Sequence, residues 1–224
     1  MPIDIPIKVV PLGYDDNKFQ YLKRNWNEKP FKFLLAGAAQ FRKGTWLGIE
    51  AFIMAFGNSK KAQLTIHSSV KTPDLVKYQD GYIADNIVFD ETNVEDMNEI
   101  YKNHHVLLSP HLSEGFGLIV IEAMATGMCC IVSRVSSPRE FFTKECGYWN
   151  EMSNDYVPIG DCLKDTIGFW RLPDIDDLAN KMKIAYVKRK ASMEKGMLAS
   201  SVAKNYTWAN TALKLTQMIK EAHE

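Results

Sequence analysis

The stretch Ser109–Gly127, SPHLSEGFGLIVIEAMATG, lies between two short apolar runs, HVLLSP and MCCIVS, that read as buried strands. Between them, Gly115-Phe116-Gly117 lets the backbone turn tightly and approach a ligand where a Cβ would block it. From Leu118 to Ala125 the residues are apolar or strong helix formers, and Gly127 suits the C′ position that ends a helix. The glycine turn therefore falls at a helix N-terminus. Free amides and the positive end of the helix dipole make such a terminus an anion site, suited to a diphosphate or a polarised sugar hydroxyl. Two carboxylates frame it: Glu114 in the loop, and Glu122 eight residues later among Ile119, Val120, Ile121 and Ala123. An acid in those surroundings is expensive to bury without partners. Taken singly, each glutamate reads equally well as an ordinary loop or solvated helix residue.

The rest of the chain repeats the alternation. FKFLLAGA has the continuous apolar character of a buried parallel strand ending at Gly37. The loop AAQFRKG then carries Arg42 and Lys43 ahead of a helix in which Ile49, Phe52, Ile53 and Phe56 recur at helical spacing. Cations after a strand and before a helix are suited to phosphate, because open parallel sheets bind ligands at that edge. AQLTIHS reads as a strand ending in a structural His67, TPDLVKYQDGY as a short helix with Pro73 in its first turn, and NIVFDE as a further strand. TNVEDMNEIYKNHH reads as a helix with Asn93 as N-cap and Val94, Met97 and Tyr101 on one face. Alternation from residue 31 to about residue 140 predicts an α/β fold, a doubly wound, Rossmann-like parallel sheet, followed by C-terminal helices. Residues 1–15, a short strand and a turn at Pro11 and Gly13, read as linker-like, and 16–224 as one domain with a helical tail. Residues 147–170 read as irregular and aromatic-rich. In the tail, Trp208, Ala212, Leu215 and Ile219 are expected to pack into the core.

Charge and cysteine usage exclude several functions. Lys and Arg number 27 against 27 Asp and Glu, so nucleic acid is not expected as a general partner. Cys129, Cys130, Cys146 and Cys162 show no C-x-x-C spacing and read as reduced thiols of a cytoplasmic protein. No apolar run reaches the roughly 18 residues of a membrane span and no signal-peptide pattern is present; peripheral attachment to a membrane stays open. No metal site is expected. His104 and His105 would point about 100° apart on a helix, His111 has no partner at ligand spacing, and Asp174-Ile175-Asp176 reads as helix capping and first-turn acid.

The complete string SPHLSEGFGLIVIEAMATG resembles the E-x7-E signature of the family 4 glycosyltransferases. In that family a loop Glu, a Gly-Phe-Gly turn and a helix Glu bind a nucleotide diphosphate sugar, and transfer proceeds with retention. VVPLGYDDNKF resembles the segment by which these enzymes enter the C-terminal, donor-binding half of the two-domain GT-B architecture, and RKG resembles the end of their diphosphate-binding G-R-x-x-x-x-K-G loop. The first Arg of that loop falls on Ala38, for which Arg42 is the candidate substitute. RVSSPREFF resembles the family's loop ahead of a P-x-E helix start, with Ser136 and Ser137 as candidate phosphate or sugar contacts. By resemblance, Glu122 would accept from the ribose hydroxyls and Lys43 with Arg42 would neutralise the diphosphate. Glu114 would face the sugar, with Glu114 and Lys43 as the catalytic pair. The amides of Gly115, Phe116, Gly117 and Leu118 would complete the anion site, and Phe89, Asp90 and Glu91 would lie beside the base. The resemblance implies a hexosyltransferase-type enzyme without a cofactor other than its donor substrate, acting on a sugar, lipid or protein acceptor. The acceptor-binding half is expected from a separate chain or a homo-oligomer, or from a longer form of the enzyme. Two alternatives stay open: a non-catalytic nucleotide-sugar-binding module acting with a partner chain, and an unrelated α/β ligand-binding domain.

Overall fold

A computed structural model describes residues 7–68, 84–159 and 168–223. The helix expected over TPDLVKYQDGY, with Pro73, and Cys162 lie outside the described residues. Strand β1 (Phe31–Ala36) sends Phe31, Phe33 and Leu35 to one face of the sheet and Leu34 to the other, and all four are buried. The same alternation recurs in β4 (Val106–Ser109) and β5 (Cys129–Ser133), so the unbroken apolar runs reflect a sheet covered on both faces. With β2 (Ala62–His67), β3 (Ile87–Asp90) and β6 (Gly147–Asn150), these strands form a six-stranded sheet ordered β3-β2-β1-β4-β5-β6. Every pairing in it is parallel.

Helix α1 (Thr45–Phe56) and helix α4 (Ile175–Val187) cover one face through Ile49, Phe52, Leu178 and Met182. The other face takes the single-turn α2 (Asn98–Tyr101), α3 (Leu118–Ala125) and part of α5 (Arg189–Ala203), through Tyr101, Ile121, Met124 and Ala199. Strand order reverses between β1 and β4, which places the loops that follow these two strands side by side. In a doubly wound sheet that crevice is where ligands bind.

Four expectations need correcting. The helix over TNVEDMNEIYKNHH shrinks to Asn98–Tyr101, and Asn93 does not cap it. Side chains of Asp90 and Asp96 capture the amides of Thr92 and Asn98, which holds the approach in turns. Residues 7–13 form no strand; the chain makes one isolated bridge, Tyr14 to Thr207, and is otherwise tied to the last helix, α6 (Trp208–His223). The aromatic stretch expected to be irregular contains β6 and an antiparallel hairpin of β7 (Met152–Ile159) and β8 (Gly168–Pro173). Finally, Trp208, Leu215 and Ile219 are about half exposed and Ala212 is exposed, so the apolar stripe of α6 does not enter the core. The capping expectation stands: Asp174 is the N-cap of α4 and its side chain accepts from the Asp177 amide at 2.9 Å.

Candidate functional site

After β1 the chain turns at Gly37 and passes through a short 3-10 turn, Phe41–Lys43, before Gly44 starts α1. After β4 it runs through Pro110–Gly117 into α3. The two loops are joined. The Leu112 amide donates to the Arg42 carbonyl at 2.8 Å, and a Cβ on Gly44, whose φ is +65°, would stand 1.9 Å from the Pro110 carbonyl oxygen. No residue but glycine fits there, and that fit brings RKG against SEGFG.

Lys43 Nζ hydrogen-bonds Glu114 Oε2 at the joint. Arg42 behaves differently: its Nη1 donates to the Ser113 carbonyl at 2.9 Å and stands 3.7 Å from Glu114 Oε2, so it braces the loop from the side. Burial would raise the Glu114 carboxyl, but the hydrogen bond and charge of Lys43, with Arg42 behind it, outweigh burial and hold it below the usual carboxylate range. Beneath the loop, His111 is fully buried between Ser109, 3.0 Å from Nδ1, and the Val135 carbonyl, 3.2 Å from Nε2. Burial lowers its pKa and keeps it neutral, a strut for the Glu114 loop. His104 and His105 are likewise buried and bonded, to Ile100 and Thr65 and to Lys32 and Asn25, at the opposite end of the strands.

Gly117, with φ +99°, starts α3, and a Cβ there would press to 3.1 Å from Pro138. The first amides of α3 have no intrahelical acceptor, and Gly117, Leu118 and Ile119 line the cleft beside it. That cleft, of about 810 Å³, is lined by Lys43, Glu114, Gly115, Phe116, Gly117, Leu118 and Ile119 on one side. Across it lie Val9–Leu12, Tyr206 and Lys214 from the chain's two ends. Arg42 and Ser136 are not among its lining residues. Ser137 lines it, but its hydroxyl donates to the Gly115 carbonyl and, at 3.3 Å, to that of Glu114, supporting the glycine turn from below.

Glu122 faces a second cavity of about 240 Å³, lined also by Gly37, Ala38, His67, Thr92, Asn93 and Tyr101. The Tyr101 hydroxyl donates to Glu122 Oε2 at 2.8 Å. Burial raises the Glu122 carboxyl above its ordinary pKa, against the opposing effects of the Tyr101 bond and Lys18. On the far wall His67 Nδ1 stands 3.0 Å from Asp90 Oδ2, whose other oxygen accepts from Thr92. Ile119 belongs to both cavities and forms the sill between them. Sequence reasoning found both glutamates and Lys43 but missed Tyr101, taken only as an apolar helix position, and Ile119. It also missed the contribution of residues 9–12.

The family model described as "Glycosyl transferases group 1" matches residues 16–155. The chain belongs to that family. Lipopolysaccharide core biosynthesis mannosyltransferase LpsB of Rhizobium meliloti (strain 1021) is 26% identical over 162 residues, 63% of this chain and 44% of that protein. The chain thus spans less than half the length of this curated relative. The C-terminal domain of the group 1 glycosyl transferase LpcC from Francisella tularensis superposes with a TM-score of 0.66 at 19% identity, covering 86% of this chain and 97% of that one. Anabaena Alr3699/HepE, solved in complex with UDP and glucose, gives a TM-score of 0.71 at 11% identity over 95% of this chain and 56% of that one. The parallel sheet is thus the Rossmann-like unit of the GT-B glycosyltransferase fold. Among the described residues, no helix is long and apolar enough to cross a membrane.

Proposed function

We propose that this group 1 glycosyltransferase domain is the donor-binding half of a retaining, family 4 type hexosyltransferase that uses a nucleotide diphosphate sugar. The observation that carries the reading is the pair of cavities meeting across Ile119, with Lys43 and the start of α3 in one and the Glu122 carboxylate in the other. A nucleotide sugar needs that division. Its ribose hydroxyls donate to Glu122, its diphosphate crosses the sill to the amides of Gly117 and Leu118, and its sugar reaches Glu114. HepE, solved with UDP and glucose, has the same fold and supports a donor of this class.

Lys43 would be shared between Glu114 and the leaving diphosphate, whose charge grows as the glycosidic bond breaks. Fixed cations and amides aimed at that charge lower the barrier without proton transfer. Arg42, held by Ser113, adds its charge at longer range and does not supply the direct phosphate pairing that the Ala38 methyl group is unable to make. An acceptor, whether sugar, lipid or protein, and the chain or segment that binds it complete the reaction. The buried free thiols Cys129, Cys130 and Cys146 agree with a reducing, cytoplasmic setting.

A charge-assisted contact is worth about 1.5–3 kcal/mol, so Lys43→Ala should weaken binding of UDP- or GDP-hexoses about tenfold or more by titration calorimetry. Affinity unchanged by the substitution would sink the assignment. Anomeric configuration of a transferred sugar, read by NMR, tests retention. Donor binding without turnover alongside every candidate partner favours the binding module.

A further inference from the structure

We propose that the amino-terminal edge of the sheet, opposite the cleft, is a docking face for an anionic lipid bilayer. The chain carries no net charge, yet its lysines gather at this edge. Lys29 leads into β1, Lys60 and Lys61 into β2, and Lys102 toward β4, all of them exposed. Lys188 and Lys190 sit at the junction of α4 and α5, and Arg189 between them anchors that junction to the same edge. Its Nη1 donates to the Trp26 carbonyl at 3.0 Å, and its guanidinium lies 4.8 Å from the centre of the Phe31 ring.

Helix α5 then crosses beneath the strands. A Cβ on Gly196 would stand 2.3 Å from the Gly127 carbonyl oxygen, and Ser200 Oγ donates to the Ala125 carbonyl at 2.8 Å. With that side against the sheet, Lys190, Met197 and Leu198 face outward, the last two 49% and 44% exposed, beside Val187 at 74%. Among the described residues, the carboxylates on the connections at this edge are Glu28, paired with Lys32 at 3.2 Å, Asp85, Glu99 ahead of Lys102, Glu145 beside Lys144, and Glu194 on the outer side of α5, fewer than the lysines they accompany.

Lysines on separate, convex connections, interleaved with exposed aliphatic side chains, match what an interfacial surface presents to acidic headgroups. Apart from the half-exposed Tyr21, the arginines and aromatic rings at this edge are turned inward: Arg24 and Arg189 donate to backbone carbonyls, and Trp26 and Phe31 are buried, so guanidinium forks and stacking platforms of the kind that hold nucleic acid are not offered to solvent. Docked this way, the domain keeps its cleft turned to solvent, so the face works independently of the donor site.

The test is sedimentation of the full chain with phosphatidylcholine vesicles prepared with and without phosphatidylglycerol. Binding is expected only with phosphatidylglycerol, to weaken as salt screens the lysines, and to fall about tenfold or more in Lys60→Glu/Lys61→Glu and in Lys188→Glu/Lys190→Glu. Thermal melting of both variants checks that they fold. Equal sedimentation with neutral vesicles, no sedimentation with either, or parental binding by folded charge-reversed variants overturns the proposal. So does binding to a nucleic-acid duplex by a chain indifferent to phosphatidylglycerol.

Discussion

Glu114 and Glu122 are the same side chain in opposite electrostatic circumstances. Two cations hold Glu114 ionised, whereas Glu122 has one phenol against the cost of burial. The sign of each shift sets how it affects stability. Glu114, with its folded pKa depressed, contributes stability present at neutral pH and lost as pH falls through that depressed value. Glu122, with its folded pKa raised, contributes stability present below the unfolded carboxylate range and lost as pH rises through the raised value. Glu122→Gln keeps an acceptor for Tyr101 and removes the buried charge. It should therefore melt higher than the parent at pH 7, with the difference closing below about pH 4; circular dichroism melts at the two pH values check this. The glutamates were legible in the sequence because their spacing and the glycines between them are local. Tyr101 was not, since its hydroxyl matters only once β4 and α3 bring residues 101 and 122 together.

At the scale of elements, glycines set how closely segments approach. Gly196 lets α5 lie on the turn that starts β5, where a methyl group would meet two backbone groups, the Gly127 carbonyl at 2.3 Å and the Cys129 amide nitrogen at 3.1 Å. Backbone cannot yield as a flexible side chain can, so Gly196→Ala should cost about 1–3 kcal/mol, measured by urea unfolding. Strands β1 to β5 and helices α1 and α3 were legible because their apolar residues are continuous or regularly spaced. The segment around Asn93 was misread because Asp90 and Asp96 bond nearby amides and compete with the helix, an effect that residue spacing does not reveal. The hairpin β7–β8 was missed because its strands alternate weakly between partly buried and exposed positions. Little apolar contrast distinguishes such strands from loop.

Across the whole molecule, the two chain ends are knitted together beside the cleft. Tyr14 exchanges backbone bonds with Tyr206 and Trp208 at 2.9 and 3.2 Å, and Thr211 Oγ1 donates to the Pro11 carbonyl at 2.9 Å. Periodicity identified α6 as amphipathic but could not tell where its apolar stripe points. That depends on how far the helix projects beyond the sheet. Because Leu215 and Ile219 are half exposed, replacing both by lysine should change unfolding free energy by no more than about 0.5 kcal/mol, whereas buried core positions would lose several times that. Thermal or urea unfolding distinguishes the two cases. Alternation and right-handed crossovers predict a doubly wound parallel sheet but not where its order reverses; the reversal between β1 and β4 is what fixes the site's location.

The close fit of Gly44 beneath Pro110 constrains anyone who would reshape the cleft. Any side chain at position 44 would be driven into the Pro110 carbonyl, so a change to either loop has to respect the other. Residues 37–44 and 110–117 form a single exchangeable cassette, to be transplanted from another glycosyltransferase together, with glycine kept at the crossing, or left in place.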